Sequence, residues 1–406
     1  MQSINTVVIG GGQAGLATSY ELGQRNVEHI VLEQDRIGAG WANRWENFCL
    51  VTPNWSVQLP GFPYDGEDPD GFMPRDEIVK YLERYAVSFG CPIETGTRVI
   101  SVGSGDDAGF DVRLEEGDGY HAENLVVSTG AYQKPYLPPG SDTLPGHLKI
   151  LDSTGYSEPS TLPEGDVLIV GSGQTGSQIA EELSETGRSV VLSCGRAPWG
   201  PRRIGDHDLM WWLIESDFLD VDATTLPPEA RLFANIQASG HKGGHDLHFR
   251  VLADLEVSLV GRFLGAENGH ARFSPDLCDS VNWGDARFCQ LRDHFKKFAD
   301  EKGLGFPDLP DPEPFNATAI ETLDLKTFGS VIFTGGFRPD FRSWLPWSEA
   351  FDDEGFPLQT EGASNAVPGL YFVGLHFMRT RKSALLCGVG DDAAVVASQI
   401  AGRESA

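Results

Sequence analysis

The sequence predicts an α/β protein made of two Rossmann-like dinucleotide-binding domains with a partly helical insertion. Three observations predict it. TVVIGGGQAGLATSYELG at the start and VLIVGSGQTGSQIAEEL at Val167–Leu183 each read as buried strand, glycine-rich turn and helix. Strand-plus-glycine segments, VVSTG and VIFTGG, stand before and after the second unit. The stretch from about 204 to 320 exceeds what a bare second unit needs, and it mixes helical and strand patterns. The expected division is residues 1–160 and 326–406 for the first domain and 161–325 for the second, with the insertion at about 204–320.

In the first unit Gly10-Gly11-Gly12-Gln13-Ala14-Gly15 matches G-x-G-x-x-G. Gly10 serves the tight turn, Gly12 lets the backbone approach a pyrophosphate, and Gly15 lets helix and strand pack closely. The helix N-terminus then faces the phosphates. The next strand ends in Glu33, 18 residues after Gly15, where a carboxylate can accept hydrogen bonds from ribose hydroxyls. An acid there disfavours a 2′-phosphate, so this unit is assigned to FAD, with Gln34 and Val99 counted in the same site.

The second unit repeats the pattern as Gly171-Ser172-Gly173-Gln174-Thr175-Gly176. Aligning Val31-Leu32-Glu33 with Val191-Leu192-Ser193 puts Ser193 where Glu33 stood. The carboxylate is gone, and Arg196, Arg202 and Arg203 follow in GRAPWGPRR. A neutral strand end followed by arginine accommodates a 2′-phosphate, so this unit is assigned to NADPH rather than NADH. The alternative is that these arginines only offset acids such as Asp206 and Asp208.

The net charge of −28 argues against nucleic acid and anionic membranes as partners. No apolar run reaches the ~18–20 residues that span a bilayer, and a signal peptide has no room before the first strand, so a soluble cytoplasmic protein is expected. The six cysteines form no C-x-x-C pair, and the ten histidines no H-E-x-x-H; no metal site is expected. His241, His245 and His248 lie in NIQASGHKGGHDLHF, which reads as a mobile surface loop. Thr129-Gly130 and Gly335-Gly336 are expected beside the cofactors, as are Gly374 after the strand in GLYFVGLHF and Gly390 at the start of the last helix. FMRTRKSALL brings Arg379, Arg381 and Lys382 near the flavin edge; they could receive an acidic substrate, help seat NADPH, or form a solvated turn.

Taken together, the two fingerprints about 160 residues apart, the two TG segments and GAGW at Gly38–Trp41 resemble the flavin-containing monooxygenase family, which includes the Baeyer–Villiger enzymes. The resemblance spans nearly the whole chain. It implies that Gly40, Trp41, Thr52, Pro53, Asn54 and Trp55 stand near the isoalloxazine, with core packing the alternative for Trp45 and Trp55. The family signature before the second fingerprint, F-x-G, then His, then Trp or Tyr, has its counterpart in LPGHLKILDSTGYSEP. There Leu144-Pro145-Gly146 and Tyr156 fit the ends, but Asp152 stands where the family has His, and His147 is displaced. This is a divergent member, and Asn54, Asp152 and Tyr156 are its catalytic candidates. The implied function is an NADPH-reduced FAD monooxygenase that forms a C4a-(hydro)peroxyflavin from O₂ and oxygenates a small nucleophilic substrate such as an amine or sulfide. Alternatives are a flavin NADPH oxidase or reductase that oxygenates nothing, and a non-catalytic FAD- and NADPH-binding protein. The oligomeric state is left open, a homodimer among the options.

Overall fold

The structure, a computed structural model, describes residues 1–105, 109–232 and 235–404. Its first sheet forms around Gln2–Ile9, whose Val7 and Val8 are fully buried. A strand covered on both faces reads as such a continuous apolar run. It pairs in parallel with His29–Leu32 on one side and with Tyr120–Val127 on the other. Ile93–Glu94 extends one edge and Leu370–Phe372 the other, both parallel, so the last part of the chain returns to complete the first sheet. An antiparallel pair, Val99–Ser104 and Phe110–Leu114, branches from the start of Tyr120–Val127. Helices Gln13–Gln24 and Val389–Glu404 pack together over one face, burying Leu16, Leu22, Val396 and Ile400.

The second sheet is wholly parallel. Its order is Lys149–Asp152, Phe328–Phe333, Asp166–Val170, Val190–Ser193 and Ser258–Val260. Strand order reverses beside the glycine loop in both sheets, and such reversal points open the crevice where α/β sheets bind ligands.

The insertion contributes helices Leu209–Glu215, Phe249–Asp254 and Leu277–Lys302, the last closed by Gly303 in the left-handed region. It also carries the hairpin Phe263–Glu267 and His270–Phe273. Asn268 and Gly269 both have positive φ (50° and 79°), the backbone a tight two-residue hairpin turn requires.

The stretch 235–249, expected to be mobile, is instead packed: Gln237, Ser239, Leu247 and Phe249 are buried. Gln237 Nε2 donates to Ser172 O (2.8 Å) and Ser177 Oγ (2.6 Å), and Gln174 Nε2 donates to Ala238 O (2.7 Å). Two of the glycines, Gly240 and Gly244, serve close approach rather than mobility. A Cβ on Gly240 would lie 1.9 Å from Leu50 O, and one on Gly244 would lie 2.6 Å from the Phe72 ring. The three histidines go to separate partners: His241 to Glu185, His245 to Glu181, and His248 to the Trp199 ring. Among the described residues no group of His, Cys, Asp and Glu could hold a metal ion, and no helix is long and apolar enough to cross a membrane.

The two TG segments meet. Lys134–Pro135 pairs antiparallel with Phe337–Arg338, and Tyr136 N donates to Gly336 O at 2.9 Å. This short ribbon joins the two units at the carboxyl ends of their sheets.

Candidate active site

The two glycine loops are nearly superimposable in local chemistry. Gly10 and Gly171 have φ of +112° and +114°, a region closed to other residues at ordinary cost. A Cβ on Gly15 would stand 1.8 Å from Gly10 O, and one on Gly176 would stand 1.9 Å from Gly171 O. Gly12 differs in kind: a Cβ on it meets nothing within 4 Å, so its hydrogen faces open space at the start of a helix, as a cradle for a pyrophosphate requires. Gly173 takes the matching extended conformation at the start of its own helix, φ −71° and ψ −173° against −85° and −172° for Gly12. Neither helix has a side-chain cap or an acidic residue in its first turn, so the N–H groups stay free for an anion. A hydroxyl steadies each turn from the third strand: Ser128 Oγ donates to Ile9 O (2.7 Å), and Thr334 Oγ1 donates to Gly171 O (2.6 Å). Ala14 is buried in the first helix, and Thr175 is half-buried in the second.

The strand ends separate the units. Glu33 is buried, accepting from Gly11 N (2.6 Å) on one oxygen and from Asp35 N (2.9 Å) on the other. Each oxygen keeps a lone pair for a ribose hydroxyl. In the second unit the register corrects the sequence alignment by one residue. Ile9 pairs with Leu32, whereas Val170 pairs with Ser193. Gly10 N donates to Leu32 O, and Gly171 N to Ser193 O. Ser193 therefore corresponds to Leu32, and its hydroxyl turns away to Gly261 O (2.9 Å). Cys194, fully buried, holds the Glu33 position: their N–H groups bond Val260 O and Glu94 O on the equivalent neighbouring strands. A one-residue slip in a strand exchanges its faces, which is why pattern matching chose the wrong residue.

The same register sets Arg196 opposite Asp35; both are exposed. Arg203 is exposed too, on the short hairpin Arg203–Ile204 and His207–Asp208. Neither Arg196 nor Arg203 makes an ion pair among the described residues. Arg202 has a different task from the one expected. It is buried, ion-paired with Asp208, bonded through Nη1 to Val51 O (2.7 Å) and set against the Phe72 ring at 5.1 Å. It ties the insertion to the 48–73 segment and has no free face for a phosphate.

Gln13 links three parts of the first site. Its Oε1 accepts from Trp41 Nε1 (2.8 Å), and its Nε2 donates to Ala384 O (2.7 Å) in the returning segment. In that segment a Cβ on Gly374 (φ +86°) would come 2.4 Å from Ala14 Cβ, and one on Gly390 would come 2.7 Å from Pro60 Cγ. Gln34, Gly40 and Thr129 are exposed; Thr52 and Val99 are half-buried. Gly130 (φ +77°) turns the chain after Thr129, and Gln133 Nε2 bonds Thr129 Oγ1 and Gly130 O. Gly335 lies against Tyr136, and Gly336 (φ +86°) has open space at its Cβ position.

The three catalytic candidates sit in separate hydrogen-bond sets. Asn54 is buried and spends its amide on backbone, accepting from Met73 N (2.7 Å) and donating to Asp68 O (2.8 Å). It closes the 54–73 loop. Asp152 Oδ1 accepts from Thr154 N (2.8 Å), Thr154 Oγ1 (2.6 Å) and Gly155 N (3.1 Å), fixing the turn after its strand. Tyr156 is buried, and its hydroxyl bonds Glu182 Oε2 (2.9 Å) on the second unit's helix. Trp45 packs in the same core as Tyr156, and Trp55 packs with the insertion.

Sequence reasoning missed a cluster at the seam between the sheets. Tyr132 follows the first TG segment. Its ring lies 5.1 Å from Phe337, just past the second TG segment, and 5.3 Å from His376, just past Gly374. The Arg44 guanidinium sits over the Tyr132 ring, 4.8 Å from its centroid, and Arg338 stacks on Tyr136 at 4.2 Å. Tyr132 is 51% accessible, yet its surroundings push the phenol pKa upward and the Arg44 pKa downward. Burial holds His376 down at about 4. Part of the signal was available: Tyr132, Phe337, Arg338 and His376 each lie within two positions of a glycine just past a strand end.

Two dinucleotide cradles, one acid-edged and one arginine-edged, facing one seam define an NADPH-dependent flavin oxidoreductase. Comparison with known proteins agrees. The model of the pyridine nucleotide-disulphide oxidoreductase family matches residues 7–213. The chain is 33% identical to the uncharacterised oxidoreductase CzcO-like protein of Geobacillus kaustophilus, over 98% of both chains. It is 30% identical to the indole-3-pyruvate monooxygenase YUCCA1 of Oryza sativa subsp. japonica, over 97% of this chain and 90% of that one. A solved flavin-containing monooxygenase from Stenotrophomonas maltophilia shares its fold, with a TM-score of 0.69 at 21% identity and 99% of each chain covered. The chain belongs to the pyridine nucleotide-disulphide oxidoreductase family, as a divergent flavin-containing-monooxygenase-like member.

Proposed function

We propose that this protein is an FAD monooxygenase, reduced by NADPH, that passes one oxygen atom of O₂ to a small nucleophilic substrate such as an amine or a sulfide. The observation that carries the reading is the seam. Both cradles open onto it, and the Lys134–Pro135/Phe337–Arg338 ribbon holds them face to face. The first unit would hold FAD through Gly10–Gly15, Glu33 and the Gln13–Trp41 bond; the second would hold NADPH through Gly171–Gly176, with Arg196 nearest the 2′-phosphate. When bound, the flavin supplies the hydride acceptor and the C4a carbon at which O₂ is activated.

The chain's own part is positioning and exclusion of water. The insertion folds over the returning segment: Ala223 N donates to Arg379 O (2.8 Å) and Lys382 N to Leu219 O (3.2 Å). His376, neutral near pH 7, and the uncharged Tyr132 phenol add no charge of their own to the seam, whose cations, Arg44 and Arg338, lie against the Tyr132 and Tyr136 rings. The thiols weigh against disulfide reduction. All six cysteines are unbridged, and burial lifts Cys49, Cys91 and Cys387 to about 11, so they remain protonated near neutrality.

The test is stepwise. Anaerobic NADPH should bleach the flavin of the holoprotein. Admitting O₂ with an amine or thioether panel should then consume one NADPH per oxygenated product. Stoichiometric peroxide release with every substrate would make the protein an oxidase instead.

A further inference from the structure

Between Arg379 and Lys382 the returning segment carries three cations, and two of them are saturated with carboxylates. Arg379 Nε bonds Glu361 Oε2 (2.7 Å), and its Nη1 bonds Asp392 Oδ1 (3.3 Å). Lys382 Nζ bonds Asp220 Oδ1 (2.7 Å) and Asp391 Oδ2 (2.9 Å). The third, Arg381, has no carboxylate partner among the described residues. Its Nε is sealed from solvent and has no hydrogen-bond acceptor. Its guanidinium instead lies against two aromatic rings, 4.5 Å from Phe218 of the insertion and 6.0 Å from Phe377. Arg202 and Arg231 also bury an unbonded Nε, but each is paired with a carboxylate through Nη2, and Arg381 is not. Burying a donor of full charge without its acceptor is costly, so the missing acceptor points to an anion that arrives with a ligand.

Its place in the fold says which ligand. Arg381 lies between His376, which touches Tyr132 in the seam, and Ala384, whose carbonyl is bound by Gln13 of the first glycine loop. Phe377 beside it is held at φ +54°, a turn that a bulky residue seldom adopts. The insertion covers this turn through the bridge between Asp222 and Thr380. The turn thus sets two rings around one planar cation and lies beside the segment proposed to seat the flavin.

We infer that Arg381 is the substrate's anion seat, and that the enzyme acts on apolar molecules bearing a carboxylate, with Phe218 and Phe377 flanking the apolar body. A guanidinium suits a carboxylate because its fork can give two parallel N–H bonds. The inference rests on the seam holding flavin, but its test requires no turnover.

Calorimetric titration of the flavin-bound protein with benzoate and with its neutral isostere benzamide tests it. Benzoate is expected to bind at least tenfold tighter and to perturb the visible flavin spectrum as it saturates. Arg381→Gln should abolish that preference while leaving benzamide affinity in place, and Arg381→Lys should restore part of it; the lysine variant also serves if the glutamine variant does not fold. Equal binding of the two probes, or no saturable benzoate binding, overturns the inference. So does an Arg381→Gln protein that loses NADP⁺ affinity as steeply as benzoate affinity, since the guanidinium would then serve the cofactor's phosphate. A carboxylate preference in a protein that oxygenates nothing would sink the monooxygenase reading and leave the anion seat standing.

Discussion

The two dinucleotide units share a backbone and differ at its rim. Gly10 and Gly171, Gly12 and Gly173, and Gly15 and Gly176 occupy matching conformations, and a hydroxyl from the third strand steadies each turn. At the strand end that follows, Glu33 and Asp35 of the first unit correspond in register to Cys194 and Arg196 of the second. In the proposed reading the shared part would grip a pyrophosphate, which is common to both cofactors. The differing part would meet the ribose, where a free 2′-hydroxyl asks for an acceptor and a 2′-phosphate asks for a cation. Discrimination is thus confined to a few side chains placed on a repeated frame.

The strongest way to break the comparison is to add a methyl to each helix start separately. Gly12 has room for it in the protein itself, and both Gly12 and Gly173 have an extended backbone that alanine adopts, so Gly12→Ala and Gly173→Ala should both fold. Gly12→Ala should purify without flavin. Gly173→Ala should keep its flavin but need at least about tenfold more NADPH for half-maximal anaerobic reduction, a loss of ~1.4 kcal/mol or more. Equal flavin loss in both would end the division of labour. Next in size, Arg202→Ala leaves Asp208 buried without its partner and should cost about 3–5 kcal/mol in denaturant unfolding. The preference for NADPH over NADH should survive in what remains folded.

Acid should act through His376 on the flavin side. Its folded pKa, about 4, lies below the free value of 6.5. Between those values the unfolded chain binds the extra proton, so stability is full above pH 6.5 and falls as pH drops toward 4. Thermal melts from pH 7 to 4.5 should show the decline, and His376→Gln should flatten it. The smallest effect sharpens the rim itself. Arg196→Gln should weaken NADPH by about tenfold, the scale of one charge-assisted contact, and leave NADH unchanged. Steady-state kinetics with both nucleotides would expose an equal loss, which would remove Arg196 from the phosphate site.

Much of this was legible in the sequence because glycine spacing, helix starts and apolar strands are local patterns. The register of Val190–Ser193 was not, since a run of VVLSC offers no residue that declares which face is which. Arg202 looked like a phosphate ligand because burial is a property of the folded insertion, and Asp208, named as its alternative partner, won through proximity on a hairpin. Asn54 and Asp152 were singled out from motif position, yet their side chains serve turns that depend on Asp68, Met73 and Thr154. The glycines of 235–249 suggested freedom, but Gly240 and Gly244 mark where Leu50 and Phe72 come close. Arg44, Tyr132, Phe337 and His376 come from four distant segments, and only the assembled seam brings them together.

The ribbon of Lys134–Pro135 and Phe337–Arg338 bears on how the enzyme could move. Two chain crossings bonded edge to edge behave like a strip hinge: they flex about one axis and resist shear and twist. The insertion ties the same halves at a second place, through Arg202 to Val51 and through Leu219 and Ala223 to Lys382 and Arg379, so a nucleotide seated on one half would meet a flavin seated on the other in one alignment.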